Sequence, residues 1–543
     1  MNKKNDYFSK MPSNDYVASL DIGTTTIRCT ILNSLAQTVG SARSTVSRNF
    51  AFSTNQKPLQ VKLIYPEPGF VEINPDQLWE QILEIIKNAV SDANLDIVNI
   101  KCLGISTQRS TFLTWDSQTG KPFHNFITWK DIRAKNLCKE LNSSFLVKAF
   151  RCAAYSLYLV TRSNRFLIGS RLKFAANHAT GRLLWVLQNN PVLKTAVSEH
   201  NAKFGTIDTW LLHKLTKNKL HVTDISNASA TGFFDPFVFE WGSWAKVILG
   251  IPMEILPQVV PNDYDFGSTE EKIFGVSIPI RCIMADQSSS MFASSCFVPD
   301  DIKLTLGTGA FLDVNTAGEI HTSVTGIYPL VAWKIKNEVT CIGEVACNDC
   351  GSLIQWLLNI GLVTKPSDIY GMVTGVEDSD GVYFIPAFSG LGPPINDEKA
   401  SSGFLGIKPT TTKNHLVRSV LEGITYRAVL AFQTLKKERN REYYKVTVDG
   451  GVSNNDFVCQ LFADLTGIEV ERLDSTEMSV LGVGFLAGII AGVWKTNEEI
   501  KKFNKVQKLF SPTADHIYRK RCFEEFNKWR NAVERFKYWY EED

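Results

Sequence analysis

No apolar run in this 543-residue chain approaches the ~20 residues needed to cross a bilayer. One apolar run, "AAYSLYLV", stops after eight residues at Thr161 and Arg162. The N-terminus, "MNKKNDYFSKMPSND", is polar and lacks the apolar core of a signal peptide. Neither sign of charge dominates: 58 Lys and Arg against 56 Asp and Glu leave a net +2, which argues against broad binding of nucleic acid. The 11 cysteines are too sparse and irregular for a secreted disulfide scaffold, so free thiols in a reducing compartment are expected. One C-x2-C pair, Cys347 and Cys350, lacks the second pair that a zinc site would want. These absences point to a cytoplasmic globular protein with no nucleic-acid partner and no stable membrane insertion. Its length suits two domains, each with its own core.

What is present is a series of glycine turns at strand ends. In "YVASLDIGTTTIRCTIL" (16–32) an apolar run ends in Asp21, a Gly-Thr turn follows, and a second apolar run begins. The pattern predicts a β-hairpin. "IKLTLGTGAFLDVNT" (302–316) repeats the plan, although a pair of ordinary hairpins explains two copies equally well. In "YYKVTVDGGVSNNDF" a strand ends in Asp449, then Gly450 and Gly451 lead into a helix. Glycine lets a backbone approach a phosphate closely, and helix starts attract anions. Between these turns strands alternate with helices to about residue 290, which predicts an α/β fold. "PDQLWEQILEIIKNAVSDA" places Leu78, Ile82, Ile85, Ile86 and Val90 at helical spacing behind Asn74-Pro75. The last segment predicts an amphipathic helix on the second domain through Phe523, Phe526, Arg530, Val533, Phe536 and Tyr540. "KKERNRE" (436–442) reads as a solvated helix end or loop rather than a partner site.

Two acids stand apart. Asp21 at a strand end suits Mg2+, which takes one or two carboxylates plus phosphate oxygens and water; a turn-capping aspartate suits it too. Asp286, in "IRCIMADQSSSMF", follows an apolar run and precedes small polar residues. It fits a helix N-cap and equally a base beside an attacking hydroxyl.

With these segments in order, the chain resembles the FGGY carbohydrate kinases, and within them the glycerol kinases, including a divergent animal branch. The resemblance is carried by "DIGTTTIR", "YPEPGFVEINPDQLWE", "GISTQR", "TGKPFHNFITWKDIR", "FGTIDTWLLHKLT", "HVTDISNAS", "ADQ", "LGTGAF", "IPAFSGLGPP" and "VDGGVSNN". It implies a two-domain actin-like (ribonuclease H-like) fold with ATP and glycerol in an interdomain cleft. The domains would be 15–296, with the polyol site and first phosphate hairpin, and 297–543, with the nucleotide site and terminal helix. Asp286 would be the catalytic base, and Asp21 with Asp286 would hold Mg2+. ATP would be bound by Thr24, Thr25, Thr26, Arg28, Gly307, Thr308, Gly351, Gln355, Gly451 and Asn455. The polyol would meet Arg109, Ser110, Asn177, Asp286, Gln287 and Phe311. Family members are often dimers or tetramers, so a homo-oligomer is a further expectation.

Two departures concern the acceptor. The family's glutamate after "QR" is Ser110 here, and ungapped alignment on Trp185 puts Asn177 where a tyrosine lines the glycerol site. Losing a charged acceptor costs roughly 1.5–3 kcal/mol. The expectations are therefore ATP-dependent phosphorylation of glycerol, a kinase for another small polyol or sugar, or a nucleotide-binding interaction protein with little turnover.

Overall fold

The computed structural model describes residues 15–45, 61–217, 219–323 and 325–540. Its chain forms two compact units. One runs through Ser295 and takes back Val331–Val339 and Ser479–Phe503; the other holds Cys296–Leu330, Thr340–Met478 and the chain from Asn504. The units differ from the contiguous stretches 15–296 and 297–543 by those two returning segments and by Cys296, which falls in the second unit.

In the first unit a five-stranded sheet has the order Ile280–Ala285, Ile100–Thr107, Tyr16–Ile22, Thr26–Leu32, Thr38–Thr45. Strands Tyr16–Ile22 and Thr26–Leu32 are the expected hairpin, paired antiparallel with Asp21 opposite Arg28. Ile100–Thr107 and Ile280–Ala285 add in parallel. Parallel strands covered on both faces read as continuous apolar runs, and Val17 through Ile22 are all buried. Helix Pro75–Asp92 covers the sheet, with its start capped by the Asn74 side chain and Leu78, Ile82, Ile85, Ile86 and Val90 buried as the spacing predicts. Helix Met478–Ile490 packs so closely that a Cβ on Gly104 would lie 2.6 Å from the Val483 carbonyl oxygen. A second sheet, ending in strands Phe112–Asp116 and Ala202–Thr206, is packed within the same unit. Helices Phe145–Thr161 and Asn164–Ser170 fold back on each other, yet only Val147 and Ala154 of the longer one are buried.

The register decides where functional loops emerge. Ile22 lies opposite Thr107, and Thr107 opposite Ala285. The segments beginning at Gly23, Gln108 and Asp286 thus leave the sheet along one edge.

The second unit repeats the plan. Strands Ile302–Leu306 and Ala310–Asn315 form an antiparallel hairpin, and Lys445–Asp449 joins the first in parallel. Glu469–Leu473 continues in parallel and Val506–Phe510 closes antiparallel. Its core includes helix Lys413–Arg439, which ends at Asn440 in the left-handed conformation inside "KKERNRE". The terminal helix, His516–Val533, packs there as expected, but through Phe526, Trp529, Ala532 and Val533. Phe523 stays exposed, and Phe536 and Tyr540 lie beyond the helix end. Trp529 also donates from Nε1 to the Phe384 carbonyl at 2.9 Å.

Candidate functional site

Within the first unit Asp21 is buried at the strand edge, where one carboxylate oxygen accepts from Ser106 Oγ and the other from Ser479 Oγ, both at 2.9 Å. Arg28 Nη1 stands 4.0 Å from the same carboxylate. Asp286 opens helix Asp286–Ala293 as its first residue, while Ala285 holds the N-cap position. Its Oδ1 accepts the backbone N–H of Gln287 at 2.8 Å and faces Arg109 Nε at 3.7 Å. The Asp286 side chain remains 23% exposed. Each edge carboxylate therefore faces its own arginine.

A buried polar hub underlies this edge. Asp224, ending strand Val222–Asp224, accepts Asn227 Nδ2 at 2.6 Å and Asn262 Nδ2 at 2.9 Å, and caps helix Ile225–Ser229. From the hub, Ser226 Oγ receives the Ala285 N–H at 2.8 Å and Asn227 Oδ1 receives Thr107 Oγ1 at 3.2 Å. Both strand ends that launch Asp286 and Arg109 are tied to it. Burial, and then the neighbouring Asp208, push the Asp224 carboxyl up to about 7. In the sequence the signal for these roles is only a run of small polar residues after a strand, "HVTDISNAS".

Ser110, with φ of 60°, is buried, and its hydroxyl donates to the Ala230 carbonyl at 2.6 Å. Asn177 is exposed. The two departures meet on Arg182. The fully buried Arg182 donates from Nη2 to both the Ser110 and Asn177 carbonyls at 2.8 Å. Burial pushes its guanidinium down to about 9. Nearby His178 is held down at about 4, first by burial and then by Arg182 and Arg109. Thr24 donates to Gln108 Oε1 at 3.3 Å and accepts Trp129 Nε1 at 2.8 Å, while Thr25 is exposed and Thr26 half-buried.

The second unit brings its three glycine turns together. Gly351 N–H donates to the Gly307 carbonyl at 2.9 Å, and a Cβ on Gly351 would lie 2.5 Å from that oxygen. Gly450, at φ 86°, would put a Cβ 2.6 Å from the Leu306 carbonyl carbon. Beside it Gly451 has nothing within 4 Å of an added Cβ. The Thr308 carbonyl accepts the N–H groups of Cys350 and Ser352, both at 3.2 Å. This crowded backbone next to open space is a cradle of the kind phosphates occupy. Asn455 caps helix Asp456–Thr466 through Phe457 N–H, and Gln355 is exposed against Asn359. Phe311, read as a polyol contact, belongs to this unit and not with Arg109, Ser110, Asn177, Asp286 and Gln287. Cys347 and Cys350 are both buried, with thiols raised by burial. No group of three or more metal-binding side chains occurs among the described residues.

The FGGY family of carbohydrate kinases matches this chain twice, its N-terminal domain over residues 16–293 and its C-terminal domain over 302–491. Glycerol kinase 5 of Danio rerio is 43% identical, spanning 97% of this chain and 97% of its own length. Glycerol kinase 5 of Homo sapiens is 42% identical over 97% and 96%. Glycerol kinase 2 of Thermotoga maritima is 34% identical over 96% and 99%. Among solved structures, Plasmodium falciparum glycerol kinase with ADP superposes with a TM-score of 0.80 at 26% identity, covering 97% of this chain and 99% of that one. A xylulose kinase from Lactobacillus acidophilus, 21% identical, shares the fold at a TM-score of 0.75, covering 96% and 98%. With both domains matched and the relatives aligned along nearly their whole lengths, the chain has the two-domain actin-like (ribonuclease H-like) α/β fold and belongs to the FGGY family of carbohydrate kinases.

Proposed function

We propose that the chain transfers the terminal phosphoryl group of ATP to glycerol. The observation that carries this reading is the shared strand edge, where Asp21 and Asp286 each face an arginine. Phosphoryl transfer needs little covalent chemistry from the protein; it needs positioning and electrostatic stabilisation. Asp286 accepts the proton of the attacking hydroxyl as the new oxygen–phosphorus bond forms and the bond to ADP breaks. Arg109 orients that carboxylate, and Gln287 and Ser110 flank the acceptor. Arg28 and the Thr24–Thr26 turn meet phosphate oxygens from the first unit. Gly307, Thr308, Gly351, Gly451 and Asn455 offer backbone and side-chain donors from the second. Asp21 suits Mg2+ as a hard oxygen ligand, and the ion, when bound, neutralises charge on the phosphates.

A second acceptor, another small polyol or sugar, is favoured by Ser110. It places no carboxylate beside Arg109, and its hydroxyl is directed to Ala230. ATP consumption with glycerol and then with a panel of polyols and ketoses separates the readings. Turnover with glycerol, reduced ~10²–10⁴-fold by Asp286→Asn with nucleotide binding retained, is the expected result. Turnover with another alcohol alone selects the second reading. Nucleotide binding without turnover on any acceptor refutes both and leaves an interaction protein.

A further inference from the structure

Helix Phe145–Thr161 wears its apolar side outward. At 100° per residue, Phe145, Ala149, Cys152, Ser156 and Val160 share the side opposite the two buried residues, Val147 and Ala154. No charge falls on that face. Phe145 is 87% exposed and Val160 83%, the extremes of a helix about 25 Å long. Leu146 and Leu157 continue the exposed apolar surface on one flank, Tyr155 and Leu159 on the other. The charge-free arc from Leu159 round to Leu157 covers about 160° of the circumference, with Lys148 between Leu159 and Tyr155 at its edge, and it is wider than the stripe of roughly 100° that a helix ordinarily buries against a neighbour.

Charge identifies what covers it. From Leu141 through Ser198 the sequence contains no aspartate or glutamate. The hairpin and its exit carry Lys148, Arg151, Arg162, Arg165, Arg171 and Lys173, in a chain whose total is only +2. Arg165 reaches Asp235 at 2.6 Å, but its side chain is still 46% exposed. Arg151 donates to the Leu172 carbonyl and Asn142, bracing the hairpin base. A second copy meeting this surface face to face would set cation against cation. A groove on a partner protein would cover a stripe and leave the rest of the arc in water. A bilayer boundary accepts apolar side chains without shape matching, and anionic headgroups answer the cations.

We propose that the hairpin Phe145–Ser170 docks the protein on the surface of an anionic bilayer. Phe145 and Val160 enter the headgroup–acyl boundary, and the surrounding lysines and arginines meet lipid phosphates. The helix lies in the interface plane and does not span it: no helix among the described residues is long and apolar enough to cross a membrane.

Co-sedimentation of the full chain with vesicles tests this. Binding to phosphatidylcholine mixed with phosphatidylserine should exceed binding to phosphatidylcholine alone by on the order of tenfold and weaken as salt rises. Phe145→Ser with Val160→Ser should lower the partition coefficient roughly tenfold. Arg162→Gln with Arg171→Gln should do likewise. Both pairs should keep the wild-type circular dichroism spectrum and ATP turnover, which distinguishes lost docking from lost folding. Equal partition of wild type and both variants would overturn the proposal, as would no partition at all. Salt-sensitive binding that survives the Phe145 and Val160 changes would mean polyanion attraction only and would also overturn it. So would a dimer in size-exclusion chromatography that those changes dissolve, or retention of polyglutamate without vesicle binding.

Discussion

Two adjacent glycines should respond to the same substitution in opposite ways. Gly450 sits at φ 86° and ψ 160°, a region that essentially only glycine enters. Alanine there costs about 1–3 kcal/mol in backbone strain. Its Cβ would also lie 2.6 Å from the Leu306 carbonyl carbon and oxygen and 2.8 Å from the Gly307 nitrogen. These are backbone atoms in a paired hairpin and cannot swing aside, so overlap adds about 1–3 kcal/mol. Gly450→Ala should therefore destabilise the ligand-free protein by about 2–6 kcal/mol, lowering its melting temperature by on the order of 5–20 °C. Gly451 has nothing within 4 Å. Alanine there should change ligand-free stability by under about 0.5 kcal/mol. On the proposed nucleotide placement, its methyl would instead stand where a phosphate approaches the backbone. Thermal melts with and without Mg-ADP, at about 100 times the dissociation constant, read both effects. Wild type should gain about 2.7 kcal/mol from the ligand, and a tenfold loss of affinity in Gly451→Ala removes about 1.4 kcal/mol of that. A Gly450→Ala protein that melts like wild type would refute the packing of the two turns. A full ligand-induced shift in Gly451→Ala would refute the nucleotide's place there.

The buried Asp208–Asp224 pair should make stability fall as pH rises. The Asp224 carboxyl, pushed up to about 7, keeps in the folded state a proton that the unfolded chain releases near pH 4. The folded state is thus favoured below about pH 4 and loses that advantage as pH climbs to about 7. Asp208→Asn removes one cause of the shift, so its melting temperature should drop less than that of wild type between about pH 5 and about pH 8; parallel curves would contradict this. Ser110→Ala should lower stability by about 1 kcal/mol through the lost bond to Ala230 while changing the acceptor KM less than tenfold. A larger KM change in steady-state assays would show the hydroxyl reaching the acceptor. Trp529→Ala, removing a fully buried ring and its bond to Phe384, should cost about 3–5 kcal/mol in urea unfolding, and a loss under about 1 kcal/mol would count against its place in the core.

Local pattern revealed what local pattern determines. The hairpin at Tyr16–Leu32 shows as two β-branched runs around a Gly-Thr turn, and helix Pro75–Asp92 shows through spacing and its Asn74 cap. Side-chain partners at long range were silent. Asp21 announced itself at a strand end, but Ser479, whose hydroxyl it accepts, is 458 residues away. Nothing in residue type marks Arg182, because its partners are main-chain carbonyls, which leave no trace there. Thr24 read as a phosphate donor, yet Gln108 and Trp129 also engage its hydroxyl. The membership of "GVGFLAGII" was equally hidden. An apolar helix fits either core, and only the close approach at Gly104 shows where it packs.

That late helix has a consequence for how the chain matures on the ribosome. Asp21 is translated among the first residues, but the hydroxyl gripping its second oxygen arrives with Ser479. The unit that opens the sequence cannot be completed until Phe503 has been translated. A transcript truncated anywhere upstream should yield no half-enzyme with a finished acidic edge, and vectorial, unit-by-unit folding is closed to this architecture.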